Sequence, residues 1–195
     1  MATDPLDAIR DRTGAAHDRV EAVMSARFFD VDSFDVDRFR ELLVAYYGLY
    51  RPLDRRLERR IEELMPDFEH RDRAGRLASD LETIGMEPAA IDQLPVASLA
   101  AMPALETAPA LAGCLYVVEG SALGKRVIRR DLAADLGDDL LGADAFFADR
   151  PEETSRRWQA FREHFRRRVD RSEALEAAVQ SASSTFRVYT EWFDE

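Results

Sequence analysis

Residues 111–128 read LAGCLYVVEGSALGKRVI. The run is apolar enough for a buried helix, yet Gly120 and Gly124 stand one turn apart in its interior. Each costs about 1 kcal/mol of helix propensity relative to alanine. Two demands would account for the pair. A second helix may cross only where side chains are absent, or a flat ligand needs bare backbone against its face. Glycines also let a helix bend over such a ligand. The helical pattern extends from about Leu111 to Leu136 and stops near Gly137.

The rest of the chain has the same period. A first helix opens with Asp4 as N-cap and Pro5 at the first helical position. It sets Leu6, Ile9, Thr13, Ala16, His17, Val20 and Met24 along one face. A long stretch from Ser33 to about Met65 turns Phe39, Leu42, Leu43, Tyr46, Tyr50, Leu53, Leu57 and Ile61 inward, with Pro52 expected to kink or divide it. A third helix runs from about Arg71 to Ile84 and ends at Gly85. The segment from Glu87 to Pro109, with Pro88, Pro95, Pro103 and Pro109, is irregular apart from a short turn begun by Pro88. Two further helices cover about Pro151 to Asp170 and Ser172 to Phe193. No alternating strand, internal repeat or low-complexity linker occurs, which predicts an all-α, single-domain bundle over residues 1–195.

Composition narrows the function. A net charge of −11 excludes nucleic acid as a global partner, since phosphate binding needs a basic surface. No run of eighteen apolar residues and no signal-peptide layout is present, so a soluble, cytoplasmic protein without membrane attachment is expected. Cys114 is the one cysteine and lies in an apolar run, which excludes an intramolecular disulfide and a thiolate metal cluster. Nearly all basic residues are arginine, Lys125 is the sole lysine and asparagine is absent. High-GC coding or a salt-adapted host would each give that bias.

Of the three histidines, only His17 falls on an apolar helix face; His70 and His164 sit among charges and read as solvated. Gly14, Ala15 and Ala16 leave room beside His17, and Glu21 one turn later could hold the imidazole. His17 is therefore either a satisfied core histidine or an axial ligand of the kind that holds haem iron. Arg10 lies seven residues earlier, on the same side of the helix, as a surface charge or a cation for a bound carboxylate.

The pairing of RDRTGAAHDRVE with YVVEGSALGKRVI resembles the heme oxygenases, in particular short bacterial ones found beside bacteriophytochromes. GLYRPLDRRL, RAGRLASDLETIGM and the terminal TFRVYTEWF carry the likeness over most of the chain. The resemblance implies haem between a proximal first helix and a glycine-kinked distal helix. His17 would be the iron ligand, and Gly120, Ser121 and Gly124 would line the reacting side. Arg10, Tyr116 and Arg187 match or approach positions that meet the propionates. Ser121 stands where some members have an acidic residue, so water in the distal pocket needs other supports. Glu119, in an apolar helix, requires a partner such as Arg10 or a tyrosine of the second helix. Lys125 stands where relatives have a second small residue. It would either rotate outward to a propionate or solvent, or offer an amine to the iron.

The activity so implied is oxidative cleavage of haem to biliverdin, with release of CO and ferrous iron. It uses O2 and electrons from a ferredoxin- or flavodoxin-type donor, since the chain has no dinucleotide fingerprint or cluster ligands. Arg156, Arg157, Arg166, Arg167 and Arg168 form the one strongly basic run, either a donor-docking face or a helix surface with internal ion pairs. A bacteriophytochrome is a possible biliverdin acceptor, with iron acquisition the competing role. A haem-binding or haem-trafficking protein using the same slot is the alternative. A thiaminase-like enzyme would need Cys114 as nucleophile.

Overall fold

The computed structural model describes residues 4–30, 33–100, 102, 105–137 and 140–195, so Pro103 lies outside the described residues. Helix α1 (Pro5–Met24) starts where its cap predicts, the Asp4 carboxylate accepting the Leu6 N–H at 3.0 Å. It passes into one π turn, Ser25–Phe29. Helix α2 (Val36–Leu64) is capped by Asp35 and is not divided by Pro52. Fully buried Leu49 and Leu53 flank that proline, and their packing outweighs the lost hydrogen bond.

Helix α3 (Arg73–Thr83) has Asp72 as its cap, and Gly85 at φ +87° lies just beyond its end. A short α4 (Pro88–Asp92) follows. Helix α5 (Ala108–Leu136) opens with Thr107 as cap and Pro109 in its first turn, runs unbroken through Gly120 and Gly124, and stops at Gly137, φ +89°. After a single 3₁₀ turn at Leu140–Gly142 come α6 (Pro151–Arg168) and α7 (Ser172–Asp194). The described residues contain no strand, as expected of an all-α chain.

Helix α7 packs on both α1 and α5, α6 covers α5, and α2 with α3 closes the other side. Aromatic rings fill the middle: Tyr46 lies 5.0 Å from Phe146 and 5.6 Å from Phe193, centroid to centroid. Gly113 lets two helices cross closely, because a Cβ there would overlap the Ala178 carbonyl of α7. None of the described residues of the long helices forms a segment apolar enough to cross a membrane.

Gly113→Ala should therefore destabilise the protein by about 1–3 kcal/mol, measured by urea unfolding. A stability equal to the parent's would show that α5 and α7 can part at no cost.

Candidate functional site

Two helix faces lack cover. On α1, Arg10, Gly14, His17 and Glu21 recur at helical spacing, and the His17 side chain is 54% exposed. On α5, Tyr116, Gly120, Leu123, Gly124 and Val127 share one face, with Leu123 43% and Val127 53% exposed. A Cβ at Gly14 or Gly124 would meet nothing, and one at Gly120 would reach only the Trp158 ring at 3.9 Å.

The helices are tied at two places. Near their starts the Tyr116 hydroxyl reaches Thr13 and lies within the field of Arg10. Farther on, the Phe34 N–H, beyond the end of α1, donates to Asp135 near the end of α5 at 2.7 Å. His17 stands one turn beyond Thr13 on α1, and Gly120 one turn beyond Tyr116 on α5, so the two partly exposed strips start from the same tie. Phe186 of α7 meets the imidazole edge-on, ring centroids 5.9 Å apart.

His17 is not in the core. It sits at the margin of the α1 stripe buried at Leu6, Ile9, Thr13 and Met24, one turn beyond Thr13, so its ring is half exposed. Its Nδ1 lies 3.6 Å from Asp18 and its Nε2 3.7 Å from Glu21, both beyond hydrogen-bond length, so Glu21 does not hold the ring as expected.

Behind the open face, the rear of α5 is anchored. Ser121 Oγ donates to the Val118 carbonyl at 2.8 Å and lies 3.1 Å from the buried Tyr50 hydroxyl, which accepts from Tyr189 at 3.2 Å. Glu119 finds its basic partners in Arg73 at 2.6 Å and Arg157 at 3.3 Å, and not in Arg10. Those guanidinium charges hold its carboxyl below the usual glutamate range despite burial. Arg73 also pairs with buried Asp54 at 3.3 Å, while Arg10 turns to Asp7 and Asp11 on its own helix.

Other expected placements need correction. Lys125 takes neither expected course: it is buried, its Nζ donating to the Phe146 carbonyl at 3.0 Å with Asp149 at 3.4 Å, on the side of α5 opposite the bare strip. His164 and His70 are half-buried rather than solvated, His164 lying against Phe68 and 3.5 Å from Asp67. The arginines of α6 make ion pairs on different sides of the helix. Arg157 turns inward to Glu119, Arg166 clasps Asp4, and Arg167 and Arg168 both reach Asp67. Arg187 is exposed beside Phe186, its Nε 4.0 Å from Glu191.

An imidazole beside bare backbone and exposed apolar side chains, with Arg10 and Tyr116 at one end, fits a flat macrocycle that carries carboxylates and a metal able to take nitrogen. Glycine in place of any larger residue is the fitting observation, because a side chain would fill the cradle. The fold is an all-helical bundle with these two strips partly exposed. The chain belongs to the heme oxygenase family, whose sequence model matches residues 4–195. No curated protein matches the chain.

Sequence reasoning missed Arg73, Asp54, Tyr189 and Phe186 as parts of the site. Phe186 and Tyr189 lie in the terminal stretch that carried the family likeness, so that signal was present.

In the ligand-free protein, Gly124→Ala should raise stability by up to about 1 kcal/mol, the propensity of alanine over glycine with nothing to clash against. His17→Ala should change it by less than about 0.5 kcal/mol. A large loss from either, by urea unfolding, would show that the slot is closed by contacts in solution.

Proposed function

We propose that the chain cleaves haem oxidatively to biliverdin, releasing CO and ferrous iron, with O2 and electrons from an external donor. The carrying observation is the pair of bare strips, His17 facing outward from α1 and the Gly120–Gly124 backbone on α5. Membership of the heme oxygenase family supports the same reading.

Each residue then has a task. The His17 imidazole would hold the iron from the α1 side as a nitrogen ligand. Leu123, Val127 and Phe186 would exclude bulk water from the macrocycle faces. Arg10 and Tyr116 would meet propionates, the guanidinium exchanging Asp7 and Asp11 for the substrate's carboxylates. Bound haem would supply both the iron centre at which oxygen is activated and the carbon that is cleaved. Burial raises the Tyr50 hydroxyl's pKa, so Tyr50 remains a proton donor as well as an acceptor. The Tyr189–Tyr50–Ser121 hydroxyl chain lies behind the Gly120–Gly124 backbone and would brace it.

The competing readings weaken. A six-coordinate binder with Lys125 on the iron would need that amine to leave Phe146 and Asp149 and cross to the other face of α5. A thiaminase-like nucleophile at Cys114 is fully buried, and burial pushes its thiol up to about 11.

The test is hemin added to purified protein, with ascorbate or reduced ferredoxin supplied under air. The Soret band should decay as a biliverdin band grows, and His17→Ala should bind hemin at least about tenfold more weakly. Persistent haem without pigment would leave a binding protein.

A ferredoxin- or flavodoxin-type donor is acidic, and so is this chain, at −11. With Arg157, Arg166, Arg167 and Arg168 answering internal carboxylates, turnover with such a donor should rise as salt goes from about 0.01 M to 0.1 M. A monotonic fall would point to a basic docking face elsewhere.

A further inference from the structure

Lys125 is the sole lysine of the chain, and it is buried in the wall behind the slot. Its ammonium lies 4.0 Å above the Phe146 ring, donates to the Phe146 carbonyl at 3.0 Å, and approaches Asp149 at 3.4 Å. Asp149 in turn takes Arg71 at 2.5 Å and Arg76 at 3.0 Å, and Arg71 continues to Glu153 at 3.2 Å. The Phe146 N–H is held by Asp80 of α3 at 2.9 Å, and its ring packs on Tyr46 and Tyr50 of α2. One side chain of α5 is thereby fastened to the 144–149 segment, and through it to α2, α3 and α6.

The position matters because Lys125 adjoins Gly124 and lies one turn after Ser121 on the rear of the same helix. At Gly120 and Gly124 the helix has no side chain on its front to fix the backbone's height over a ligand, so the contacts behind it bear more of that task. We propose that Lys125 is a positioning residue, which sets the distance and rotation of the Gly120–Gly124 backbone relative to the α1 strip and thereby the seating of the substrate ring. The inference rests on the haem-cleaving reading above.

The arrangement is costly. Burial, with Arg71 and Arg73 nearby, lowers the Lys125 pKa to about 8 against Asp149's opposing pull. A base depressed in the fold binds fewer protons there than in the unfolded chain. Its ammonium therefore weighs against folding below about 8, and stability from this group rises as pH climbs from about 8 to 10.5. A residue kept for packing alone would be better served by methionine, of similar length and without charge.

Lys125→Met separates the two roles. In the hemin-free protein the variant should melt a few degrees higher than wild type at about pH 7, with the gap narrowing above about pH 8. Hydrogen exchange at residues 118–128, corrected for intrinsic rates, should be about tenfold faster in the variant at pH 7. Wild type at about pH 9.5 should converge on the variant as its own lysine discharges. In the hemin-loaded protein the ratio of biliverdin isomers should shift, the readout of ring seating that a purely structural residue would not move.

A variant that fails to fold, or that exchanges and cleaves with the wild-type pattern, overturns the proposal. A wild-type exchange profile flat between about pH 7 and 9.5 does the same without any variant. Stability and exchange are read without hemin, so a chain that proves unable to cleave haem still reports on Lys125.

Discussion

Arg73 is a guanidinium with almost no access to water, and much of the bundle is arranged around satisfying it. It meets Asp54 of α2 at 3.3 Å and Glu119 of α5 at 2.6 Å, and sits 5.7 Å from the Tyr50 ring centre. Asp54 also accepts the backbone N–H groups of Arg73 and Ala74, so one carboxylate fixes both the charge and the start of α3. A buried cation of this kind tolerates few geometries, because an unpaired partner would be strongly destabilising. Helices α2, α3 and α5 are thus placed by charge as much as by apolar packing, and Arg157 brings α6 to the same Glu119.

That rear anchorage permits the unusual front. A helix with Gly120 and Gly124 on its open face gives up propensity and side-chain packing there. In most bundles such a face would be filled by a neighbouring helix. Here α7 stands between α1 and α5 and contacts both, and the close crossing is made at Gly113 instead. Beyond Tyr116 and Thr13 the α1 and α5 strips stay partly exposed, and the Phe34 N–H on Asp135 joins the chain after α1 to the end of α5. Glycine serves different ends in one helix, a backbone crossing at one position and a bare wall at two others.

Much of the fold was legible in the sequence because its signals are local. Asp4 before Pro5, Thr107 before Pro109, Gly85 and Gly137 after apolar stretches each mark a helix end through its own backbone needs. The site was legible in its residue types and less so in its geometry. Periodicity assigns His17 to the apolar stripe but cannot tell its centre from its margin, and the margin is where an imidazole faces a slot. Pro52 looked like a boundary because helix propensity is local, whereas the packing that carries α2 past it is tertiary. Glu119 and Lys125 announced only that buried charges need partners. Their partners lie 46 and 24 residues away in sequence, at Arg73 and Asp149, and no spacing rule reaches that far.

The same limit governed the arginines of α6. As a string they read as one basic face, but helical geometry spreads them around the axis, and each finds the carboxylate on its own side. Arg157 goes to Glu119 behind the slot, Arg166 to the Asp4 that caps α1, and Arg167 and Arg168 to Asp67 beyond α2. The run therefore acts as a set of struts joining α6 to α1, to α5 and to the segment after α2. Arg157 is the member drawn inside, while Arg166 and Arg167 keep partly exposed side chains on pairs at the surface.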